Sequence, residues 1–199
     1  MEIKDKFKTP EELIDFVLSE CGDIEYDHFH YKGRITLTIK SQNPILDYVS
    51  YINLLLKEQF SRSINQFSIS NVSITTIPAD FFKNFNELEY FACDMNELTE
   101  LPELPDSLED LLCASNQLIE LPKLPKKLKH LFCQSNQLTE LPKLPEKLVY
   151  LYCGENQLIE LPELPKSLNT LYCSGNPGFP DWFKSKQYKV WGDLNFAKI

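Results

Sequence analysis

The chain has 199 residues, of which 43% are hydrophobic and 25% are charged, and its formal net charge at pH 7 is −9. This length predicts one domain with terminal capping segments, and the negative charge disfavours nucleic acid and anionic membranes, whose phosphates would be repelled. No apolar run has signal-peptide or membrane-helix length, so we predict a cytoplasmic protein without membrane insertion.

Residues 1–63 are predicted to form an N-terminal capping region with the element order α-β-β-α. Thr9 is a suitable N-cap and Pro10 a suitable first residue for a helix. Two strands with alternating apolar residues are predicted around the turn at Gly33, and a second helix is predicted to begin near Pro44. Such a region would cover the apolar end of a solenoid, which would otherwise face water.

Residues 64–179 are predicted to form a repeat solenoid of one 24-residue unit followed by 20-residue units. The 20-residue units begin at Leu88, Leu108, Leu128, Leu148 and Leu168. A cysteine follows each of these leucines by five positions and an asparagine follows it by eight. The consensus pattern is L-x-x-L-x-C-x-x-N-x-L-x-x-L-P-x-L-P, with Phe91 in the place of the second leucine in the unit that begins at Leu88. Its first part is predicted to be a strand, and its asparagine is predicted to turn inward and satisfy buried backbone groups.

The cysteines of the repeat are predicted to fill the core as small apolar residues. They are Cys93, Cys113, Cys133, Cys153 and Cys173. Neighbouring parallel strands lie about 4.8 Å apart, which does not suit disulfide geometry, so we expect free thiols. A metal or redox ladder is the alternative, but no histidine or carboxylate shares this face. No cofactor is predicted.

The return leg of each unit is predicted to be extended, because its two prolines remove backbone donors and disfavour a helix. The longer first unit, with Phe81 and Phe85 in its extra segment, is predicted to contain a helical turn. At the other end, Gly178 replaces the expected leucine. Residues 180–199 are rich in aromatic side chains and are predicted to form a C-terminal cap.

The pattern at residues 88–105 and its three further copies resemble the bacterial "LPX" leucine-rich repeats found in effectors of the YopM and IpaH type. The resemblance implies an α/β fold in which a leucine-rich repeat solenoid has parallel strands and extended return legs. It also implies a protein-recognition surface on the concave face of the strands. Such effectors are injected into host cells by specialised secretion systems. The IpaH-type ubiquitin-ligase domain is not expected, since the chain ends about 20 residues after the last repeat.

The candidate binding residues are the outward side chains two, four and six positions after the first leucine of each unit. Side chains alternate along a strand, so these positions are predicted to share the concave face. They carry more aromatic residues than solubility would favour, as binding hot spots do. The predicted protein-binding residues are Tyr90, Leu112, His130, Phe132, Tyr150, Tyr152 and Tyr172. The alternative is that these aromatic residues stack on one another and only stabilise the sheet.

Other candidate sites are weaker. His28 and His30 could bind a metal ion, but no third ligand stands at a fixed spacing. No phosphate-binding loop or nucleophile with a base partner is present, so no enzymatic activity is predicted. We therefore predict a non-enzymatic, monomeric module that binds a partner protein or peptide, and the resemblance suggests a translocated effector. A structural or self-associating scaffold protein in the producing cell is the alternative.

Overall fold

A computed structural model of the chain describes Thr36–Thr38, residues 65–178 and Lys189–Val190. In these ranges the strands form one parallel sheet whose spatial order follows the sequence. The strands are β1 Thr36–Thr38, β2 Gln66–Ser68, β3 Tyr90–Ala92, β4 Asp110–Leu112, β5 His130–Phe132, β6 Tyr150–Tyr152, β7 Thr170–Tyr172 and β8 Lys189–Val190. This arrangement is the predicted solenoid.

The register of the sheet follows the sequence period. Phe91 on β3 is the partner of Leu111 on β4, and Leu111 is 20 residues before its next partner, Leu131 on β5. Residues at the same position of successive units therefore form columns across the sheet. The strands are shorter than the predicted strand segment, but the ladder continues beyond them, since the Cys113 N–H donates to the Phe132 carbonyl at 2.8 Å.

The core lies beneath the sheet and consists of stacked columns of leucine and cysteine side chains. In the units that begin at Leu108, Leu128 and Leu148, the leucines at the first, fourth and eleventh positions are fully buried. The five repeat cysteines are buried and free. Burial raises the pKa of the Cys133 thiol well above its ordinary value, and the neighbouring Cys153 raises it further. The prediction that these cysteines fill the core as unpaired thiols is confirmed.

The repeat asparagines cross-link neighbouring turns of the solenoid. The Asn136 Oδ1 accepts the Leu118 N–H at 3.0 Å, while its Nδ2 donates to the carbonyls of Cys113 at 3.0 Å and Cys133 at 3.1 Å. The same three contacts recur at the other repeat asparagines: Asn96, Asn116, Asn156 and Asn176. The predicted inward role of the asparagine is confirmed, and it accounts for backbone groups that burial would otherwise leave unpaired.

Among the described return legs, a helical turn is present only in that of the longer 24-residue unit. A 3-10 helix, Phe81–Asn84, occupies the extra segment, as predicted. The Phe81 ring packs on Phe67 of β2 at 5.5 Å and on Phe91 of β3 at 5.9 Å between ring centroids. The described 20-residue units have extended return legs, in which no helix is present. The described proline-rich segments therefore form no helix, as expected because proline lacks the N–H donor that a helix needs.

In the last unit, the hydrogen bond to the preceding unit is shifted by one residue. In the units that begin at Leu128 and Leu148, the N–H of the tenth position donates to the preceding unit, as from Gln137 to the Leu118 carbonyl at 2.9 Å. In the last unit this position is Pro177, which has no N–H, and Gly178 donates to the Leu158 carbonyl at 3.1 Å instead. A Cβ at Gly178 would lie 2.0 Å from the Ile159 carbonyl oxygen, so the close approach requires glycine there.

Several predictions concern residues outside the described ranges. These are the two N-terminal helices, the turn at Gly33 and the aromatic residues of the C-terminal cap. Within the described residues, β1 agrees with the strand predicted around Leu37, whereas β8 was not predicted from the sequence. The boundaries 1–63, 64–179 and 180–199 stay predictions. No helix of the described residues is long and apolar enough to cross a membrane.

Candidate binding face

The sheet has one face on the core and one face without a covering layer among the described residues. We call the second one the open face; it is the face predicted to be concave. In each unit it carries the third, fifth and seventh side chains, which alternate with buried residues. The third-position column is Gln66, Tyr90, Asp110, His130, Tyr150 and Thr170, and the fifth-position column is Ser68, Ala92, Leu112, Phe132, Tyr152 and Tyr172. The seventh-position column is Ser70, Asp94, Ala114, Gln134, Gly154 and Ser174.

Three rings of the fifth-position column form a continuous aromatic stack. Phe132 and Tyr152 lie 4.8 Å apart between centroids with an interplanar angle of 21°, and Tyr152 and Tyr172 lie 5.9 Å apart at 27°. Leu112, the cross-strand partner of Phe132, adjoins the stack at its β4 end. All four side chains are partly exposed. The rings therefore contact one another, as the stacking alternative requires, and still present surface to solvent.

The lack of a side chain at Gly154 leaves room for the Tyr172 ring, which is the last ring of the stack. A Cβ at Gly154 would lie 2.3 Å from the Tyr172 ring. The ring therefore lies directly over the backbone of the preceding unit, where any larger residue would displace it. Reasoning from the sequence did not assign Gly154 a role, although glycine is found there in one unit only.

The third-position column carries a different set of contacts. The His130 Nδ1 contacts the Asp110 Oδ1, and the His130 ring lies edge-on to Tyr150 with 5.0 Å between centroids. Beside this column, the Lys129 Nζ donates to the Glu109 Oε2 at 2.6 Å. Tyr150 is the most exposed aromatic residue of the face, at 37%. His130 is thus held between a carboxylate and a ring.

Carboxylates gather at the β3–β4 end of the open face. The Asp94 Oδ1 accepts the Ala114 N–H at 2.8 Å, which places its carboxylate over the next unit. Burial raises the pKa of the Asp94 carboxyl, and its backbone hydrogen bonds oppose that shift. Burial, Asp94 and Asp110 all raise the pKa of the Tyr90 hydroxyl, and Asp110 is the cross-strand partner of Tyr90. We call Tyr90, Asp94 and Asp110 the acidic end.

The seven predicted residues all lie on the open face, in two columns. Leu112 and the aromatic stack share one column; Tyr90, His130 and Tyr150 share the other. Asp94 and Asp110 were not predicted as binding residues, because aromatic enrichment of a strand face does not single out carboxylates. A role of any of these residues in binding stays a prediction.

The described residues contain no group of three or more histidine, cysteine, aspartate or glutamate side chains that could hold a metal ion. His28 and His30 lie outside these ranges. The repeated carboxylates at the thirteenth position are exposed on the turn; they are Glu100, Glu120, Glu140 and Glu160.

Comparison with protein-family models and with curated proteins finds no match. Among solved structures, the chain is similar to YopM, a leucine-rich effector protein from Yersinia pestis, with 36% identity and a TM-score of 0.55 over 58% of this chain and 33% of that one. A Shigella effector leucine-rich repeat domain gives 38% identity and a TM-score of 0.45 over 53% of this chain and 46% of that one. A leucine-rich repeat protein of Leptospira interrogans gives 18% identity and a TM-score of 0.49 over 82% of this chain and 52% of that one.

The chain thus spans about a third of the length of the Yersinia pestis YopM structure that it matches. That likeness agrees with the parallel sheet, the extended return legs and the 20-residue register described above. The chain has the leucine-rich repeat fold, and its repeats resemble those of bacterial effectors such as YopM.

Proposed function

We propose that the chain is a non-enzymatic recognition module that binds a segment of a partner protein on its open face. The observation that carries this proposal is the partly exposed aromatic stack of Phe132, Tyr152 and Tyr172, with the exposed Tyr150 beside it. Rigid aromatic rings supply large contact area at a low cost in side-chain entropy, and hot spots of protein interfaces are enriched in them.

The size of the face limits the kind of partner. Six strands spaced by about 4.8 Å span about 24 Å, and the three outward positions of each strand span about 15 Å. The resulting area is well below the roughly 800 Å² that each partner buries in a standard interface. The proposed partner element is therefore a peptide segment or a protruding loop, and a larger partner would contact other surfaces as well.

The proposed setting is the cytosol of a host cell, after export by a specialised secretion system. It is supported by the similarity to YopM, which is described as an effector protein. In this setting the partner is a host protein, and the leucine-rich repeats supply recognition without catalysis.

Capture of a partner from host-cell lysate tests the proposal. The variant carrying Phe132→Ala and Tyr152→Ala should lose the partner identified with the wild-type chain. The variant removes two stacked pairs, each worth about 0.5–1.5 kcal/mol beyond area burial, so its free energy of unfolding should fall by about 1–3 kcal/mol. The matched control carries Ile119→Ala and Thr139→Ala, two exposed residues of the twelfth position, and should retain capture.

Two outcomes would contradict the proposal. Undiminished capture by the aromatic double variant would mean that the open face does not bind the partner, so that stacking only stabilises the sheet. A concentration-dependent dimer in sedimentation equilibrium, abolished in the same variant, would favour a self-associating scaffold instead.

A further inference from the structure

The open face has two chemically different halves. At the β5–β7 side, its surface consists of the aromatic stack. At the β3–β4 side, the stack does not continue, because the fifth position of β3 is the small residue Ala92. There the surface consists of the acidic end, in which Tyr90 and Asp110 are cross-strand partners. A ligand lying along the solenoid axis would contact both halves.

The charges at the acidic end are incompletely balanced. The nearby basic side chains of the described residues already have partners: Lys129 contacts Glu109 at 2.6 Å, and His130 contacts Asp110. Asp94 accepts the Ala114 N–H at 2.8 Å and has no cationic partner among the described residues. A partly buried carboxylate without a counter-charge has lost hydration that an incoming cation can replace, so this half of the face is complementary to positive charge.

The ring of Tyr90 adds to this complementarity. It stands on β3, four residues before Asp94 and opposite Asp110, and its burial and then both carboxylates raise the pKa of its hydroxyl. A lysine or arginine side chain could place its charged group beside the Asp94 carboxylate while its aliphatic stem covers the ring, and Asp110 adds further negative charge on the neighbouring strand. Cations over tyrosine rings are attracted by the ring quadrupole, and more strongly where water is partly excluded.

The spacing of the two halves defines a sequence pattern in the ligand. From Asp94, which follows β3, the rings of Phe132 on β5 and Tyr152 on β6 lie two and three strands away, or about 10–14 Å. An extended peptide advances about 3.3–3.4 Å per residue, and alternate side chains face the same side. A cation beside Asp94 and an apolar side chain on the aromatic stack would therefore stand four residues apart.

We infer that the open face selects an extended segment of a partner protein in which a lysine or arginine stands four residues from an apolar or aromatic residue. The cation lies beside Asp94 and the Tyr90 ring, and the apolar side chain lies on Phe132 and Tyr152. This inference rests on the proposed function and adds to it the chemistry of the partner.

Selection of random decapeptides displayed on phage, with the full 199-residue chain as bait, tests the inference. The enriched peptides should carry the basic–apolar pattern. A synthetic peptide from that pool, measured by fluorescence anisotropy, should bind at least about tenfold more weakly when its basic residue is replaced by glutamine, since a charge-assisted hydrogen bond is lost. This substitution leaves the protein unchanged, so no folding defect can account for the result.

Protein variants locate the contact. The variant with Asp94→Asn and Asp110→Asn should bind the peptide about tenfold more weakly or worse, and asparagine can still accept the Ala114 N–H. Asp94→Asn alone gives a second measurement that leaves the Asp110–His130 contact intact, and it should also weaken binding. The matched control, Glu120→Gln with Glu140→Gln, makes the same change in net charge at two exposed turn positions and should bind within about twofold of wild type. Affinity for wild type should fall as NaCl is raised, because the contact is electrostatic.

Four results would overturn the inference. Enriched peptides without a basic residue that still require Phe132 and Tyr152 would refute the charge preference and leave the proposed function standing. Equal binding to wild type and to the aspartate double variant would do the same. Failure to enrich any peptide would refute peptide selection, while the lysate capture decides the proposed function separately. Self-association lost on Phe132→Ala with Tyr152→Ala would show that a second copy of the chain occupies the face, and would refute both.

Discussion

At the residue scale, the repeat gives each side chain type one environment that recurs in every unit. The cysteines show this most clearly, because each lies in the core with another cysteine in the neighbouring turn. Burial raises the pKa of all five thiols: well above the ordinary value in Cys93, Cys113, Cys133 and Cys153, and to about 12 in Cys173. Thiols in such surroundings remain protonated and are poor nucleophiles.

This burial predicts a loss of stability at alkaline pH. Above pH 8.5–9, roughly the ordinary thiol range, the unfolded chain loses protons that the folded chain keeps. The unfolded state then binds fewer protons, so the free energy of unfolding falls as pH rises, by up to about 1.4 kcal/mol per pH unit for each thiol. Urea titrations at pH 8, 9 and 10 measure this slope. Cys133→Ala should lower the free energy of unfolding at pH 8. It should also reduce the pH slope by the contribution of about one thiol, and an unchanged slope would refute the claim that buried thiols cause it.

At the element scale, the turn between strand and return leg has a backbone conformation that most residues avoid. The residue before the repeat asparagine has a positive φ in each 20-residue unit: 56° at Met95, 54° at Ser115, 56° at Ser135, 54° at Glu155 and 75° at Gly175. The left-handed conformation costs an L-residue about 1–2 kcal/mol, whereas glycine adopts it without a steric penalty. The units tolerate the cost because the following asparagine must point inward.

We therefore expect Ser115→Gly to stabilise the chain by up to about 1 kcal/mol, since relief of the strained φ exceeds the entropy that glycine loses on folding. The matched control is Gln117→Gly, two residues later, where the side chain is also exposed and φ is negative. There glycine brings only the entropic cost and should destabilise by about 0.5–1 kcal/mol. Thermal unfolding monitored by circular dichroism measures both changes, and equal effects of the two substitutions would contradict the turn argument.

At the scale of the whole molecule, the described solenoid is a linear array in which each unit contacts its two neighbours. Its stability then depends on the sum of unit and interface terms rather than on one closed core. The hydrogen bonds of the asparagines reflect this, because each joins its own unit to the preceding one and no further. Units of identical register should be exchangeable in such an array.

Deletion of residues 108–127 should consequently leave a folded protein. It would bring Leu131 opposite Phe91 in place of Leu111 and Asn136 opposite Leu98 in place of Asn116, which preserves every contact type. The urea m-value should fall by about a tenth, in proportion to the surface removed, and the transition should remain cooperative. Deletion of residues 108–117 removes half a unit and should abolish cooperative unfolding. If the two deletions behaved alike, the register of the repeat would not determine folding.

Much of the fold follows from the period alone. A 20-residue spacing of leucine, cysteine and asparagine predicts the stacked strands, the free thiols and the inward amide, because identical units must bury identical positions. Alternation along a strand then predicts that Tyr90, Phe132 and Tyr152 share the face opposite the core. The proline pairs similarly predict extended return legs. These features depend on local geometry and on repetition, and both can be read from the residues.

The arrangement of charge and rings on the open face depended on contacts between units. That Asp94 accepts a backbone N–H of the next unit, that His130 meets Asp110, and that Tyr172 lies over Gly154 are facts about neighbours 18 or 20 residues away. The residue types at those positions are compatible with many side-chain orientations, and packing across the sheet selects among them. Side-chain packing between units, which local sequence patterns do not encode, thus produced the acidic end beside the aromatic stack.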